Sequence, residues 1–373
     1  MTPNKDNCRI AIRVDASFQI GTGHFMRCFT LAEELERRGA IIHFVFRQLP
    51  NYLETMLLDR KFRFTKIGSM LDSVASSGLT HSEWLGTTQQ LDAQQTMEAL
   101  SGSIWTWLIV DHYALNEVWE NTLRPLVKKI CVIDDLADRA HDCDLLLDQN
   151  FYQGMTKRYE KLVPIACQLV LGPANALLRR EFLLLRPKAK VRSEGVRRIL
   201  VFFGGVDSLN MTAFTIKSLA LADLQAVEVD VVIGAQHPSV NEVRLLCEAY
   251  GFYCYVQTDR MAEMMMKADL AIGGAGSATW ERCCLGLPVL MLSLANNQHN
   301  IAQSIDTIGA GKYIGGVGDI NEEQLTDTIV NVSSNKQLIY NMSSKAYSLV
   351  DGLGAFRVCS LLDLKNEDIH SLY

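Results

Sequence analysis

The chain lacks an excess of positive charge. Across 373 residues, 36 Lys+Arg stand against 42 Asp+Glu, a formal net charge of −6. Holding nucleic acid or an anionic membrane by bulk charge needs a clustered basic surface, so any anion bound here must be gripped locally. No run approaches 18 apolar residues, and the opening MTPNKDNCRIAIRVDA places charges where a signal peptide needs an apolar core. The expectation is a cytoplasmic protein with no stable membrane insertion. Ten cysteines are present but no C-x-x-C pair, and most lie inside apolar runs. They read as small buried hydrophobes in a reducing compartment. With 48% hydrophobic and 21% charged residues, a disordered or collagenous chain is excluded, and the length suggests two domains, each able to bury a core.

What is present is an alternation of short β-branched or aromatic runs with segments of helical spacing. Arg9 to Val14 reads as a strand, followed by a glycine loop and a helix from about His24, in which Phe25, Cys28, Leu31, Ala32 and Leu35 recur at three- and four-residue steps. Further strands are expected at Ile41 to Phe46, Phe62 to Ile67, Trp107 to Val110 and Ile130 to Ile133. The second half repeats the plan from Arg198 to Phe203, with strands at Val227 to Ile233, Phe252 to Val256, Leu270 to Ile272 and Val289 to Leu292. This predicts an α/β chain of two Rossmann-like domains with parallel sheets, spanning 1–175 and 197–373 and joined by a polar linker at 176–196. Ligands of open α/β sheets sit at the carboxyl ends of the strands, so an interdomain cleft is the place to look for function.

Gly21-Thr22-Gly23-His24 opens a helix, where unpaired N–H groups favour an anion or a polarised oxygen. It is a poor dinucleotide fingerprint, since Met26 stands where a third glycine is needed and the next strand ends in Arg47-Gln48 rather than an acid. No P-loop occurs either. His24 is placed to act as a general base, because the positive helix end favours the neutral ring, and Asp15 at the end of the preceding strand is the candidate to orient it. The competing reading is an exposed helix-start histidine. Asp111-His112-Tyr113 follows a strand, and Tyr113 can donate to a sugar or phosphate oxygen, unless these residues simply terminate that strand. The loop Gly273-Gly274-Ala275-Gly276-Ser277-Ala278-Thr279 suits a diphosphate, with Ser277 and Thr279 as donors and Glu281 one turn on to accept from ribose hydroxyls; a tight turn is the alternative. The amides Asn296, Asn297, Gln298 and Asn300 either cap a helix or recognise a sugar. Asp142-Cys143-Asp144 runs into Leu145-Leu146-Leu147, and Asp134-Asp135 lacks partners at metal spacing, so neither a metal nor a cofactor is expected. A hydrolase nucleophile elbow, G-x-S-x-G, is absent.

Taken together, Arg13-Val14-Asp15-Ala16-Ser17, Gly21-Thr22-Gly23-His24-x-x-Arg27-Cys28, Glu83-Trp84-Leu85-Gly86 with Asp92-Ala93, Asp111-His112-Tyr113, Ile133 to Ala137 and Leu147-Asp148-Gln149-Asn150 resemble one family from Arg9 to about Leu362. It is the UDP-2,4-diacetamido-2,4,6-trideoxy-β-L-altropyranose hydrolase family of bacterial pseudaminic acid biosynthesis. Gly273-Gly274-x-Gly276-Ser277 with Glu281, Gly286-x-Pro288 and Asn297-Gln298 resembles the UDP-binding half of transferases related to the lipid II-forming N-acetylglucosaminyltransferase. The resemblance implies a GT-B fold and metal-independent, inverting hydrolysis at the anomeric carbon. It makes His24, Tyr113 and Asn297 the catalytic candidates. Asp15, Gly21, Gly23, Arg27, Gly204, Gly274, Gly276, Ser277, Ala278, Glu281, Gln298 and Asn300 are the candidate contacts to a UDP-sugar. A GT-B transferase and a non-enzymatic UDP-sugar sensor are the alternatives. Oligomeric state is left open.

Overall fold

The computed structural model describes residues 8–68, 78–222 and 224–362, and the chain divides into two compact units. The first holds β1 (Arg9–Val14), β2 (Ile41–Phe46), β3 (Arg63–Lys66), β4 (Trp105–Asp111), β5 (Val127–Ile133), β6 (Leu145–Asp148) and β7 (Gln168–Leu171). They form one sheet in the order β3-β2-β1-β4-β5-β6-β7, with parallel pairings throughout. The second unit holds β8 (Arg198–Phe202), β9 (Glu228–Ile233), β10 (Tyr253–Val256), β11 (Leu270–Gly274), β12 (Val289–Ser293) and β13 (Lys312–Gly316), in the order β10-β9-β8-β11-β12-β13, also parallel. Each sheet reverses its winding beside its first strand. The switch points therefore lie at the carboxyl ends of β1 and β4 in one unit and of β8 and β11 in the other, where open α/β sheets bind ligands.

Both sheet faces are covered, which is why the strands read as continuous apolar runs. Ile10, Ile12 and Val14 pack on one side with Phe25, Leu31 and Leu35 of the helix Gly23–Arg37, while Ala11 packs on the other with Leu108 and Val110. Three strands escaped the sequence pattern. β6 and β7 have four residues each, too few for a period to declare itself, and β13 ends in two glycines, which weaken any strand signal.

Of the segment expected as a polar linker, 176–196, all but its first two residues are built into the second unit, which takes in Leu178–Leu353. Phe182 and Leu183 are buried, and Arg186 donates to Cys284 O at 2.5 Å. The expected extent of the second domain is corrected at its other end too, since the chain from Gly354 returns to the first unit. Val358 and Cys359 join its core, and the Arg38 guanidinium lies 4.2 Å from the Phe356 ring centroid. Apolar residues on short helices decide both assignments, whereas the charged residues between them dominated the composition.

Candidate functional site

In the first unit the helix Gly23–Arg37 begins immediately after a tight turn, in which Gly21 takes φ +76° and donates its N–H to Ser17 O at 2.9 Å. A side chain there would be strained by the backbone alone. The turn delivers His24 to the end of β4, with Nδ1 2.6 Å from Asp111 Oδ1. Asp111 is fully buried and also accepts from Arg27 Nε at 2.6 Å and Arg27 Nη2 at 2.7 Å. Burial alone would raise this carboxyl; the Arg27 cation and the His24 contact overcome that and hold it well below the usual carboxylate range. Arg27 Nη2 also lies 3.1 Å from His24 Nδ1, but an ionised Asp111 can only accept, so the shorter contact places the proton on Nδ1; in the neutral form of the ring Nε2 is then an acceptor.

Asp111, not Asp15, is therefore the group that orients His24. Asp15 is fully buried beneath the site: its Oδ1 lies 2.8 Å from Arg13 Nη1 and accepts from Arg47 N at 2.7 Å, and its Oδ2 lies 3.3 Å from His112 Nε2. His112 Nδ1 accepts from Ala114 N at 3.1 Å, so its proton sits on Nε2, facing Asp15. Arg13 and Arg47 converge in turn on Asp92, at 2.7 and 3.0 Å, and Trp119 donates to the same carboxylate at 3.0 Å. This buried ionic layer braces the ends of β1 and β2.

Tyr113 packs edge-on to His24, with ring centroids 4.5 Å apart, and donates its hydroxyl to Asp135 Oδ1. Burial and the Asp135 charge raise its pKa well above normal, so the phenol stays protonated. Arg27 reaches Asp135 Oδ2 at 3.0 Å, and its guanidinium thus bridges Asp111 and Asp135. Trp84 stacks on Tyr113 at 5.6 Å, and His81 lies 4.3 Å from Trp84, giving the histidine an aromatic flank. Asp135, Trp84 and His81 carried no periodic signal that would have marked them as neighbours of His24. The D-x-D pair, Asp142 and Asp144, is held by Arg124 at 2.7 and 2.6 Å.

In the second unit the expected diphosphate loop begins in the last two residues of β11, Gly273 and Gly274, and runs into the helix Ala278–Cys284, which starts directly after Ser277. Gly204, at φ +108°, lies two residues beyond β8 with open space where a side chain would stand. Gln298 Oε1 accepts from Leu294 N at 3.1 Å, and its side chain lies 3.6 Å from the position a Cβ would take on Gly274 and 3.9 Å from that on Gly276. The structure thus brings Gly274, Gly276 and Gln298 together. Ser277 and Asn300 are exposed, and Ala278 is partly so. Thr279, expected as a donor, is fully buried and faces Arg282 Nη2 at 3.4 Å, because it points back under the loop. Glu281 receives Arg179 at 3.2 Å. Residues Asn296 and Asn297 start the helix Asn296–Ile308, but their side chains lie outside the described residues.

Residues 198–353 match the glycosyltransferase family 28 C-terminal domain. Among curated relatives, an uncharacterized protein of Methanocaldococcus jannaschii is 24% identical over 76% of this chain and 55% of its own length. Spore coat polysaccharide biosynthesis protein SpsG of Bacillus subtilis is 30% identical over 59% of this chain and 62% of its own. The matches to these two relatives thus span less than two thirds of either. UDP-2,4-diacetamido-2,4,6-trideoxy-beta-L-altropyranose hydrolase of Campylobacter jejuni is 23% identical over 79% of this chain and 94% of its own. The fold is that of Acinetobacter baumannii MurG, at a TM-score of 0.65 and 16% identity over 96% of this chain and 99% of that one. Phytolacca americana UGT2, complexed with UDP-2fluoro-glucose and pterostilbene, gives 0.68 at 11% identity over 96% and 100%.

Proposed function

We propose, from the premise that this chain is a GT-B protein related to the altropyranose hydrolase family and carrying a glycosyltransferase family 28 C-terminal domain, that it hydrolyses a UDP-activated 2,4-diacetamido-2,4,6-trideoxy sugar of the altropyranose type. In this proposal the reaction is cytoplasmic and the products are UDP and the free 2,4-diacetamido-2,4,6-trideoxy-L-altrose, which feeds pseudaminic acid biosynthesis. The observation that carries it is the His24–Asp111 pair, with Nδ1 2.6 Å from Oδ1 at the end of β4; an ionised Asp111 holds the proton on Nδ1 and directs Nε2 of the neutral ring to act as the base.

Nε2 of His24 removes a proton from water as the water oxygen attacks C1. The C1–O bond to UDP breaks on the opposite face, its electron pair leaves with the diphosphate, and configuration inverts. UDP is a good leaving group, so one base and one diphosphate cradle suffice without the spaced carboxylate pair of ordinary glycosidases. The roles proposed within the second unit are the cradle for Gly274, Gly276, Ser277 and Ala278, the ribose for Glu281, and sugar contacts for Gln298, Asn297 and Asn300, with Gly204 at the adjacent strand end. Gly21, Gly23 and Arg27 shape the histidine turn, and Tyr113 fixes the ring from its edge. No metal enters the proposal.

Turnover of the UDP-sugar in oxygen-18 water, without acceptor or metal, tests it. Label on the sugar C1 hydroxyl is expected; label in UDP would place attack at phosphorus and overturn the mechanism. The family 28 match and the MurG-like fold support a second reading, transfer of the sugar to an acceptor. Turnover that requires an added acceptor would favour it.

A further inference from the structure

Two arginines are buried in the second unit with no carboxylate within ion-pair distance among the described residues: Arg192, 7% exposed, and Arg282, 1% exposed. The first is well compensated. Arg192 donates to the carbonyls of Met265, Met266, Ala268, Lys190 and Leu285, several of them at the end of the helix Met261–Lys267, where the negative dipole end meets its charge. Arg282 has far less. Its Nη2 donates to Gly274 O and faces Thr279 Oγ1 at 3.4 Å, and its Nε has no partner among the described residues. Glu281, the adjacent carboxylate, is engaged by Arg179. Burial pushes the Arg282 pKa down to about 10, still far enough above neutrality to keep the guanidinium charged.

A buried cation without a counter-ion is costly, because it has left water without gaining an opposite charge. Its position shows what it is aimed at. The side chain runs beside the glycine loop: a Cβ on Gly273 would stand 2.0 Å from Phe202 O and 2.8 Å from Arg282 Nη1, so glycine at 273 makes room for both the paired strand and the guanidinium. The charge therefore lies under the backbone of Gly273 and Gly274, at the switch point of β8 and β11. A charge held in a low-dielectric layer under a loop acts on an anion above it with little screening by salt.

We propose that Arg282 is the buried counter-charge of the nucleotide diphosphate, a positioning residue that holds the Gly274 carbonyl and makes this loop discriminate ligands by their negative charge. The inference rests on the reading of the Gly274–Ser277 loop as a diphosphate cradle. It assigns the cation that a metal-free diphosphate site requires to a residue that reaches the ligand only through the loop backbone.

The test is the dissociation constant of uridine, UMP and UDP for the intact chain and for Arg282→Lys and Arg282→Met, with circular dichroism confirming the fold of each. In the parent protein affinity is expected to rise steeply from uridine to UDP. Arg282→Met should weaken UDP by about tenfold or more while changing uridine by less than about threefold, the scale of one unit charge acting through a protein layer. Arg282→Lys should retain most of the gradient. A merely structural role would weaken all three ligands alike and would overturn the proposal. If Arg282→Met does not fold, the parent protein decides by itself: the ¹⁵Nε arginine resonance that disappears in Arg282→Lys must shift with UDP and stay in place with uridine. UDP binding that leaves that resonance unmoved refutes the role of Arg282 and spares the cradle; failure of the parent protein to bind UDP at all refutes the cradle, and the inference with it.

Discussion

Replacing Asp111 by asparagine removes one charge from the centre of the first unit and tests the histidine assignment directly. Asp111 is fully buried and accepts two charge-assisted hydrogen bonds from Arg27, at 2.6 and 2.7 Å, besides the 2.6 Å contact with His24 Nδ1. Asparagine keeps one acceptor oxygen but turns an NH₂ toward a donor, so at least one of these bonds becomes a donor–donor contact, and Asp135, at 3.0 Å, is left as the carboxylate paired with Arg27. Breaking a buried pair by removing one partner costs about 3–5 kcal/mol. For a unit of this size that lowers the melting temperature by roughly 6–20 °C. Stability and catalysis separate in the pH dependence. Because the folded-state pKa of Asp111 lies below its unfolded value, its contribution is fully present above about pH 4 and fades as pH falls through the folded value. Asp111→Asn should therefore lose stability at neutral pH and show a shallower further decline below pH 4 than the parent. In catalysis the tautomer of His24 is no longer enforced, and UDP release at neutral pH should fall by about 10²–10⁴ in kcat, the range spanned by general-base loss and a misdirected histidine. UDP affinity should not change. A folded Asp111→Asn protein that releases UDP within about threefold of the parent rate would refute the His24–Asp111 assignment.

Four other outcomes follow from the same geometry. His24→Ala should abolish UDP release by about 10²–10⁴ while leaving UDP binding intact by calorimetry; retained turnover would remove His24 from the chemistry. Trp84→Ala strips the ring stacked on Tyr113 and should raise KM more than it lowers kcat, which steady-state kinetics on the UDP-sugar would show. Glu281→Gln should weaken UDP by about tenfold relative to UDP lacking its ribose hydroxyls, and equal losses for both ligands would sink the ribose role. Asp148, whose carboxyl is pushed up to about 7 by burial and by the Asp135 charge, binds a proton in the folded state that the unfolded chain has released above about pH 4. Stability should thus fall as pH rises from about 4 to 7, and Asp148→Asn should flatten that part of a melting-temperature profile. The Tyr159 hydroxyl oxygen lies 3.1 Å from both Asp134 Oδ2 and Asp148 Oδ2, and its one proton cannot serve two ionised carboxylates, although Arg158 Nη1, 3.2 Å from Asp148 Oδ2, works against the protonation.

By itself the sequence determined the α/β plan, the parallel character of its two sheets and the positions of their longer strands. Those features are local: a buried strand needs a continuous apolar run, a helix needs its 3.6-residue stripe, and a loop that turns at Gly21 needs a residue tolerant of φ +76°. The glycine loops and the helix-start histidine were legible for the same reason. Only the tertiary structure decided which carboxylate serves His24. Asp15 and Asp111 both end strands in adjacent register, Val14 opposite Asp111, and nothing along the chain says that one meets Arg13 and His112 while the other meets Arg27 and His24. The same holds for Arg282, a charged residue on a short helix that becomes a buried cation only once β8 and β11 pair above it, and for the 178–196 segment, whose charged surface concealed an apolar side already committed to the second core. Pairwise electrostatics depend on distances between residues far apart in the chain, and the packing of both faces of a sheet sets those distances.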